Sequence, residues 1–311
     1  MPNTMKAVRI HGYGDSSVLV YEDAPLPQIG PDEVLIKITA CAINPIDWKV
    51  RQGHGKERMP ITFPFILGWD VSGTIAAIGS LVSHYNPGDK VFTRPNSSRN
   101  GGYAEYIAVR ASEITAAPAN ISLPHLAGIP LAGQTAWAGL FEQGKLRRDQ
   151  SVLIHGGSGG VGTFALQFAH HMGAHVITTT SAKNKDLVLS LGADEVIDYQ
   201  AEDFSKKLKD IDLVFDTIGG DTQKRSWGII KKGGTLVSTV GADEKAAAEY
   251  GITSKSFMVD SNGARLQQIA ALADQGKLKV IVEKEFPLSE ARAAHDLSEK
   301  GRAAGKIILL M

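Results

Sequence analysis

The 311-residue sequence predicts an α/β chain of two domains, a mostly antiparallel β half and a doubly wound parallel sheet. Three observations carry this expectation. Residues 5–123 form short strand-like runs broken by glycine and proline, strand-like and helix-like runs alternate from Val152 onward, and the alternation opens on a glycine-rich turn at 156–162.

In the first half, Val34, Ile36, Ile38 and Ala40 fall at every second position with Lys37 and Thr39 between them, which predicts a strand with one buried face. Further strands are expected at 71–78, 90–93 and 103–109, separated by Gly79, Pro87-Gly88 and Gly101-Gly102. Residues 44–53, Asn-Pro-Ile-Asp-Trp-Lys-Val-Arg-Gln-Gly, start as a turn and continue as a short polar helix or loop.

From about Leu123 the pattern changes. A helix is expected at 126–141, then strands at 152–155, 175–179, 195–198, 213–217, 235–239 and 256–259, with helices between them that include 185–191 and 222–230. Alternation of this kind implies right-handed crossovers and a parallel sheet. The last section reads as helix 265–275, strand 280–283, helix 289–299 and strand 306–310. It is expected to return to the first domain, because its strands lack the short crossover spacing of the parallel sheet. The predicted division is therefore 1–123 with 266–311, and 124–265.

Composition narrows the function classes. Lys+Arg and Asp+Glu are both 33, so no overall basic charge points to nucleic acid or an anionic membrane. No run approaches the roughly 18 apolar residues of a spanning helix, and no apolar leader stands at the start. Cys41 is the single cysteine, which excludes an internal disulfide and any cysteine-clustered zinc site. A cytoplasmic protein is expected.

The chemistry centres on residues 152–162, Val-Leu-Ile-His-Gly-Gly-Ser-Gly-Gly-Val-Gly. Gly157, Gly159 and Gly162 fit the G-x-G-x-x-G pattern, in which glycines permit a tight turn, close approach to a pyrophosphate and close packing of helix on strand. Val161, Phe164, Ala165, Phe168, Ala169 and Met172 recur at helical spacing behind it, so the flanking helix that the motif demands is present. A plain structural turn is the alternative. Sites built for NAD place an acid about 20 residues beyond the glycines. Here Thr178-Thr-Thr-Ser-Ala-Lys183 stands there instead, and the first acid is Asp186. Hydroxyls and Lys183 suit a 2′-phosphate, hence NADPH, while Ser181 as a helix cap with a solvated Lys183 is the other reading.

In combination and order, Asn44-Pro-Ile-Asp-Trp48, Gly68-Trp-Asp-Val-Ser-Gly73, Pro87-Gly-Asp-Lys-Val91, Gly101-Gly-Tyr-Ala-Glu-Tyr106, Leu131-Ala-Gly-Gln-Thr-Ala136, the glycine turn, Leu191-Gly-Ala-Asp194 and Gly305-Lys306 resemble the medium-chain dehydrogenase/reductase superfamily. Within it the chain is similar to the zinc-free NADPH-dependent quinone and enone oxidoreductases, over essentially its whole length. The resemblance implies a GroES-like β domain carrying a Rossmann domain, with the active site in the cleft between them, and a homodimer. It also exposes departures from the zinc-containing relatives. Asn44 stands at a zinc-ligand cysteine, Gly68-Trp69-Asp70 at Gly-His-Glu, and the third ligand cysteine and the four-cysteine lobe are absent. Asparagine is a poor zinc ligand and tryptophan none, so no metal is expected. Without a Lewis acid to activate an alcohol, the implied reaction is hydride transfer from NADPH to a small electrophilic acceptor, a quinone or an α,β-unsaturated carbonyl. Rival readings are an enoyl-thioester reductase of the same superfamily and a slow NADPH-binding, redox-responsive or crystallin-like protein.

The resemblance further implies roles by matching position. Asn44 lies toward the nicotinamide, and Lys49 donates to the acceptor carbonyl or supplies the proton, unless it is a solvated surface lysine. Asp47 holds the loop or caps the helix. Thr135 contacts the cofactor, and Gly157, Ser158, Gly159, Gly160, Val161 and Gly162 serve its pyrophosphate; Ser181, Lys183 and Tyr199 serve the adenosine phosphate, and Thr217 lies near the adenine ribose. Val240, Phe257 and Val259 approach the nicotinamide end, and Arg302 returns from the tail. Trp69 and residues 63–65 are either acceptor-pocket lining or ordinary core, and Cys41 is expected to be an inert buried thiol.

Overall fold

The computed structural model describes residues 3–311. The chain divides into two compact units, the residues up to Leu131 with Ser261–Met311, and Ala132–Asp260.

The first unit is built on Glu33–Ile43, an 11-residue strand that pairs antiparallel with Val71–Ile78, Tyr106–Arg110 and Lys306–Leu310. Lys90–Thr93 and Ile114–Ala116 continue this sheet on one side, and Val282–Pro287, parallel to Lys306–Leu310, ends it on the other. A smaller sheet joins Thr4–Ile10, Leu19–Pro25 and Phe65–Ile66. The expected alternation along the long strand holds only as far as Ile38. Val34, Ile36 and Ile38 face the main core, but the register shifts between Ile38 and Ala40, so that Cys41 and Ile43 take over that face. Ala40 and Ala42 turn instead to a small cluster with Ala127 and Ile308. An irregularity that inserts a residue reverses every later side chain.

The second unit is a six-stranded parallel sheet in the spatial order Glu195–Asp198, His175–Thr180, Ser151–His155, Ile211–Asp216, Ile230–Ser238 and Thr253–Ser256. The first strand in sequence lies third in space, so the order reverses between Ser151–His155 and Ile211–Asp216. That reversal is where open parallel sheets bind ligands. The edge strand precedes the expected 256–259. The predicted helix 126–141 is broken into Leu123–Leu126, Pro130–Trp137 and a wider turn Ala138–Gln143, because Pro130 cannot continue the preceding backbone ladder. The α/β class, with an antiparallel unit beside a doubly wound one, is as the sequence predicts. Among the described residues no helix is long and apolar enough to cross a membrane.

Candidate active site

In the second unit the turn between Ser151–His155 and the helix Gly160–Met172 is built on close approach. A Cβ on Gly157 would lie 2.0 Å from Thr178 Oγ1, and one on Gly162 would lie 2.2 Å from the Gly156 carbonyl oxygen. Gly156 itself sits at φ +75°. Any side chain at these points forces the turn off the sheet, which explains the glycines independently of a ligand. The helix behind the turn starts at Gly160 with Gly159 as its N-cap, and no side chain caps it. Its first N–H groups and positive dipole end thus face out at the sheet's reversal point, the arrangement that receives an anion.

Beside this turn the Ser158 hydroxyl oxygen accepts from the Thr180 hydroxyl at 2.9 Å and from the Asn184 amide at 3.0 Å. Among the described residues no acceptor engages its own hydrogen, and a phosphate contact needs such a donor. Ser181 and Lys183 follow Thr180 at the carboxyl end of its strand, Ser181 half-buried and Lys183 exposed. Tyr199 is 59% exposed, and its N–H donates to the Thr180 carbonyl, so the ends of two neighbouring strands meet there. Ser181 makes no side-chain cap bond. Thr217, at the end of Ile211–Asp216, donates to the His155 carbonyl at 2.8 Å. Val240, Phe257 and Val259 follow the carboxyl ends of the last two strands, and Val240 is exposed together with Ile218. Thr135 is buried in the helix Pro130–Trp137. The strand ends thus gather Gly157 to Gly162, Ser181, Lys183, Tyr199, Thr217, Val240, Phe257 and Val259 along one edge of the sheet. Asn44, Asp47, Lys49 and the exposed Arg302 belong to the first unit.

In the first unit the helix Pro45–Arg51 opens on Asn44. Pro45 suits its first position, which needs no N–H donor. Asp47 Oδ2 reaches back 2.7 Å to the Asn44 N–H and fixes the entry to the helix. The Asn44 side chain is held from both ends. Its Oδ1 accepts from Lys306 Nζ at 2.5 Å, and its Nδ2 donates to Asp70 Oδ2 at 2.8 Å and to the Ala42 carbonyl at 3.5 Å. Lys306 Nζ also meets Asp70 Oδ2 at 3.1 Å, and Asp70 Oδ1 accepts from the Leu131 N–H. Asn44, Asp70 and Lys306 are all buried, so two charges lie out of water and depend on each other.

Burial raises the Asp70 carboxyl above its usual range, and the Lys306 ammonium and the Asn44 amide work against that. Desolvation, helped by the Asp70 charge, pushes the Asp47 carboxyl up to about 7 against the Asn44 N–H, the Tyr103 hydroxyl and the Lys306 ammonium, which favour its ionised form. Burial also pushes the Cys41 thiol well up, consistent with an inert sulfur. Lys49 differs from its neighbours: it is half-buried, its Nζ lies 5.5 Å from the Trp48 ring centroid, and among the described residues no hydrogen bond or ion pair engages it.

The structure sharpens several residue assignments. Trp69 is fully buried and packs in the main core, so it is core rather than pocket lining. Asp47 is wholly buried and acts on the Asn44 backbone. Sequence reasoning gave no role to Lys306, Asn184 or Ile218. Lys306 alone left a readable signal, as a lysine opening the otherwise apolar strand Lys306-Ile-Ile-Leu-Leu310. Among the described residues, no group of three or more His, Cys, Asp or Glu side chains is placed to hold a metal ion.

A Rossmann sheet with its glycine turn at the strand-order reversal, in one chain with a GroES-like β unit, defines the class of two-domain nicotinamide-nucleotide dehydrogenases and reductases. Residues 30–119 match the alcohol dehydrogenase GroES-like domain family, and residues 191–309 match the zinc-binding dehydrogenase family. A quinone oxidoreductase structure from Coxiella burnetii superposes with a TM-score of 0.94 at 34% identity, covering 99% of each chain. The chloroplastic NADPH-dependent alkenal/one oxidoreductase of Arabidopsis thaliana is 35% identical over 99% of this chain and 80% of its own. Quinone-oxidoreductase QR1 of Triphysaria versicolor, also chloroplastic, is 34% identical over 98% of both. The chain belongs to the medium-chain dehydrogenase/reductase superfamily.

Proposed function

We propose that the protein is an NADPH-dependent reductase that transfers hydride, without zinc, to a quinone or to the β-carbon of an α,β-unsaturated carbonyl. The observation that carries this reading is the Lys306 ammonium on Asn44 Oδ1 and Asp70 Oδ2. The oxygens that would be offered to a metal are already engaged by a buried cation, so metal activation of an alcohol is disfavoured and an acceptor that is already electrophilic is favoured. The relatives' names, quinone oxidoreductase and alkenal/one oxidoreductase, support the same acceptor classes.

The nicotinamide, when bound, supplies the hydride. The chain's own contribution is to bind, orient and protonate. Gly157 to Gly162 and the Ser158 hydroxyl hold the pyrophosphate. Ser181, Lys183 and Tyr199 hold a 2′-phosphate beyond a strand, His175–Thr180, that carries no carboxylate of its own at its end. Thr135, Thr217, Val240, Phe257, Val259 and Arg302 complete the nucleotide contacts. Asn44 is a rigid wall of the acceptor site, since its amide is already engaged. Lys49 is the donor, because its ammonium is the one on this helix with hydrogens still free to stabilise charge on a carbonyl oxygen or to deliver the proton.

The Tyr103 hydroxyl is buried and given to Asp47, which does not favour a tyrosine-donor enoyl-thioester reductase. A homodimer in a reducing, cytoplasmic setting completes the proposal and suits a chain with a single buried thiol. The test is steady-state oxidation of NADPH against a panel of quinones and short enones. Turnover with members of either class is expected, and its absence across the panel with both NADPH and NADH contradicts the reading.

A further inference from the structure

Behind the turn that carries Asn44 and Lys49 lies a row of buried polar groups that the proposed reaction does not touch. Arg51, His295, Tyr103 and Asp47 are each fully buried, and they come from the helix Pro45–Arg51, the segment after Gly102 and the helix Ala291–Glu299. Arg51 Nη1 lies 3.0 Å from His295 Nδ1, His295 Nε2 lies 3.0 Å from Tyr103 Oη, and Tyr103 Oη lies 2.9 Å from Asp47 Oδ2. Asp47 Oδ2 is the same atom that accepts the Asn44 N–H. At the far end Arg51 is anchored by Glu299 Oε1 at 2.5 Å and by the Gly14 carbonyl at 3.2 Å.

The ends of the row fix the direction of every bond. A guanidinium has donors only, so His295 Nδ1 must accept and the neutral ring carries its hydrogen on Nε2. That hydrogen goes to Tyr103 Oη, and the phenol hydrogen goes on to Asp47 Oδ2. No other assignment satisfies all three contacts with an ionised Asp47. Burial and the Arg51 charge hold His295 down to about 3, so the ring stays neutral.

We propose that Tyr103 and His295 are positioning residues, which with Arg51 form a one-way hydrogen-bonded chain that presses the Asp47 carboxylate onto the Asn44 backbone N–H and so fixes the turn bearing Asn44 and Lys49. The proposal rests on the reading of that turn as the acceptor site. Its consequence is a dependence on the ionisation of Asp47. The groups facing Asp47 are Asn44, Tyr103, Cys41, Asp70 and Lys306, with His295, Arg51 and Glu299 behind Tyr103. Among the described residues Tyr103 is the only side-chain donor to this carboxylate, since Asp47 Oδ1 has no partner there. Removing the phenol hydroxyl disfavours the ionised form. Asp47 then takes up its proton at higher pH and becomes a weaker acceptor for the Asn44 N–H.

Two measurements test this. In ¹⁵N-histidine-labelled protein at neutral pH, the His295 ring, assigned by its loss in His295→Gln, is expected as the neutral Nε2–H tautomer; the Nδ1–H tautomer or an imidazolium overturns the chain. In kinetics, the acid limb of kcat/KM for the best acceptor is expected to move up by about one pH unit in Tyr103→Phe, a tenfold change in proton affinity. His295→Leu should do the same, and His295→Gln, which keeps a donor for Tyr103, should largely restore the profile. A Tyr103→Phe profile that superimposes on the wild type overturns the positioning role. If the wild type turns over no acceptor, the reading of the turn as an acceptor site falls, and the tautomer alone decides whether the chain exists.

Discussion

Lys306 Nζ donates to Asn44 Oδ1 at 2.5 Å, and this contact fixes which way the Asn44 amide faces. With its oxygen on the ammonium, the amide must turn its nitrogen to Asp70, whose Oδ2 also receives Lys306. The three groups close on one another, and the second amide hydrogen goes to the Ala42 carbonyl, so both donors of the amide are engaged within the protein. Lys306→Met removes the cation and strands a buried carboxylate, which should cost about 3–5 kcal/mol. Adding Asp70→Asn should recover much of that. Urea unfolding of the wild type, both single variants and the double variant gives the coupling directly, and additive losses would count against it.

Stability should depend on pH through Asp47. Its folded pKa of about 7 lies above the usual aspartate value of 3.8, so the folded state binds more protons between these limits. Stability from this group is therefore complete below pH 4 and lost as pH rises toward 7. At roughly 1.4 kcal/mol per unit, the full effect is about 4 kcal/mol. The buried His295 and His155, both pushed down by desolvation, act in the opposite sense: their contribution is complete above pH 6.5 and is lost as pH falls. Comparing wild type with Asp47→Asn by chemical denaturation from pH 4 to 8 isolates the carboxylate. The wild type should lose stability relative to the variant as pH rises, and a flat difference would remove the assignment.

Gly157→Ala should damage both fold and nucleotide binding. The new methyl group meets Thr178 Oγ1 at 2.0 Å, and that hydroxyl is held by its own bond to the Ile154 carbonyl. Overpacking of this kind costs about 1–3 kcal/mol. A fluorescence titration should find NADPH at least about tenfold weaker, a difference of about 1.4 kcal/mol in binding. Wild-type affinity in a folded variant would show that the turn does not seat the phosphates.

Cofactor choice is assigned to the strand end at Thr180 to Asn184. Lys183→Ala should weaken NADPH by about tenfold or more while leaving NADH nearly unchanged, because only NADPH carries the 2′-phosphate. Equal losses for the two nucleotides would make Lys183 a general surface charge.

Much of this architecture can be read from the sequence because each cue is local. The glycine turn, the apolar face of the helix behind it and the alternation of strand and helix give the parallel sheet. The strand-like runs broken by Gly79, Pro87-Gly88 and Gly101-Gly102 give the antiparallel one. What escapes a sequence reading is non-local. The register shift after Ile38 depends on pairing with Val71–Ile78, which no single strand encodes. The Asn44–Asp70–Lys306 cluster joins positions up to 262 residues apart, so neither Asn44's engagement nor the identity of its cation follows from spacing. Asn184 looks like an ordinary residue of a helix start until its amide is found on Ser158.

The most direct test of the proposed reaction is the fate of the hydride. NADPH carrying deuterium at the transferable C4 position is incubated with the protein and a short α,β-unsaturated ketone, and the product is examined by mass spectrometry and NMR. A saturated ketone with deuterium on the β-carbon, formed by zinc-free protein, is the expected product. Deuterium on the carbonyl carbon of an allylic alcohol, or a reaction that appears only when zinc is added, would contradict it.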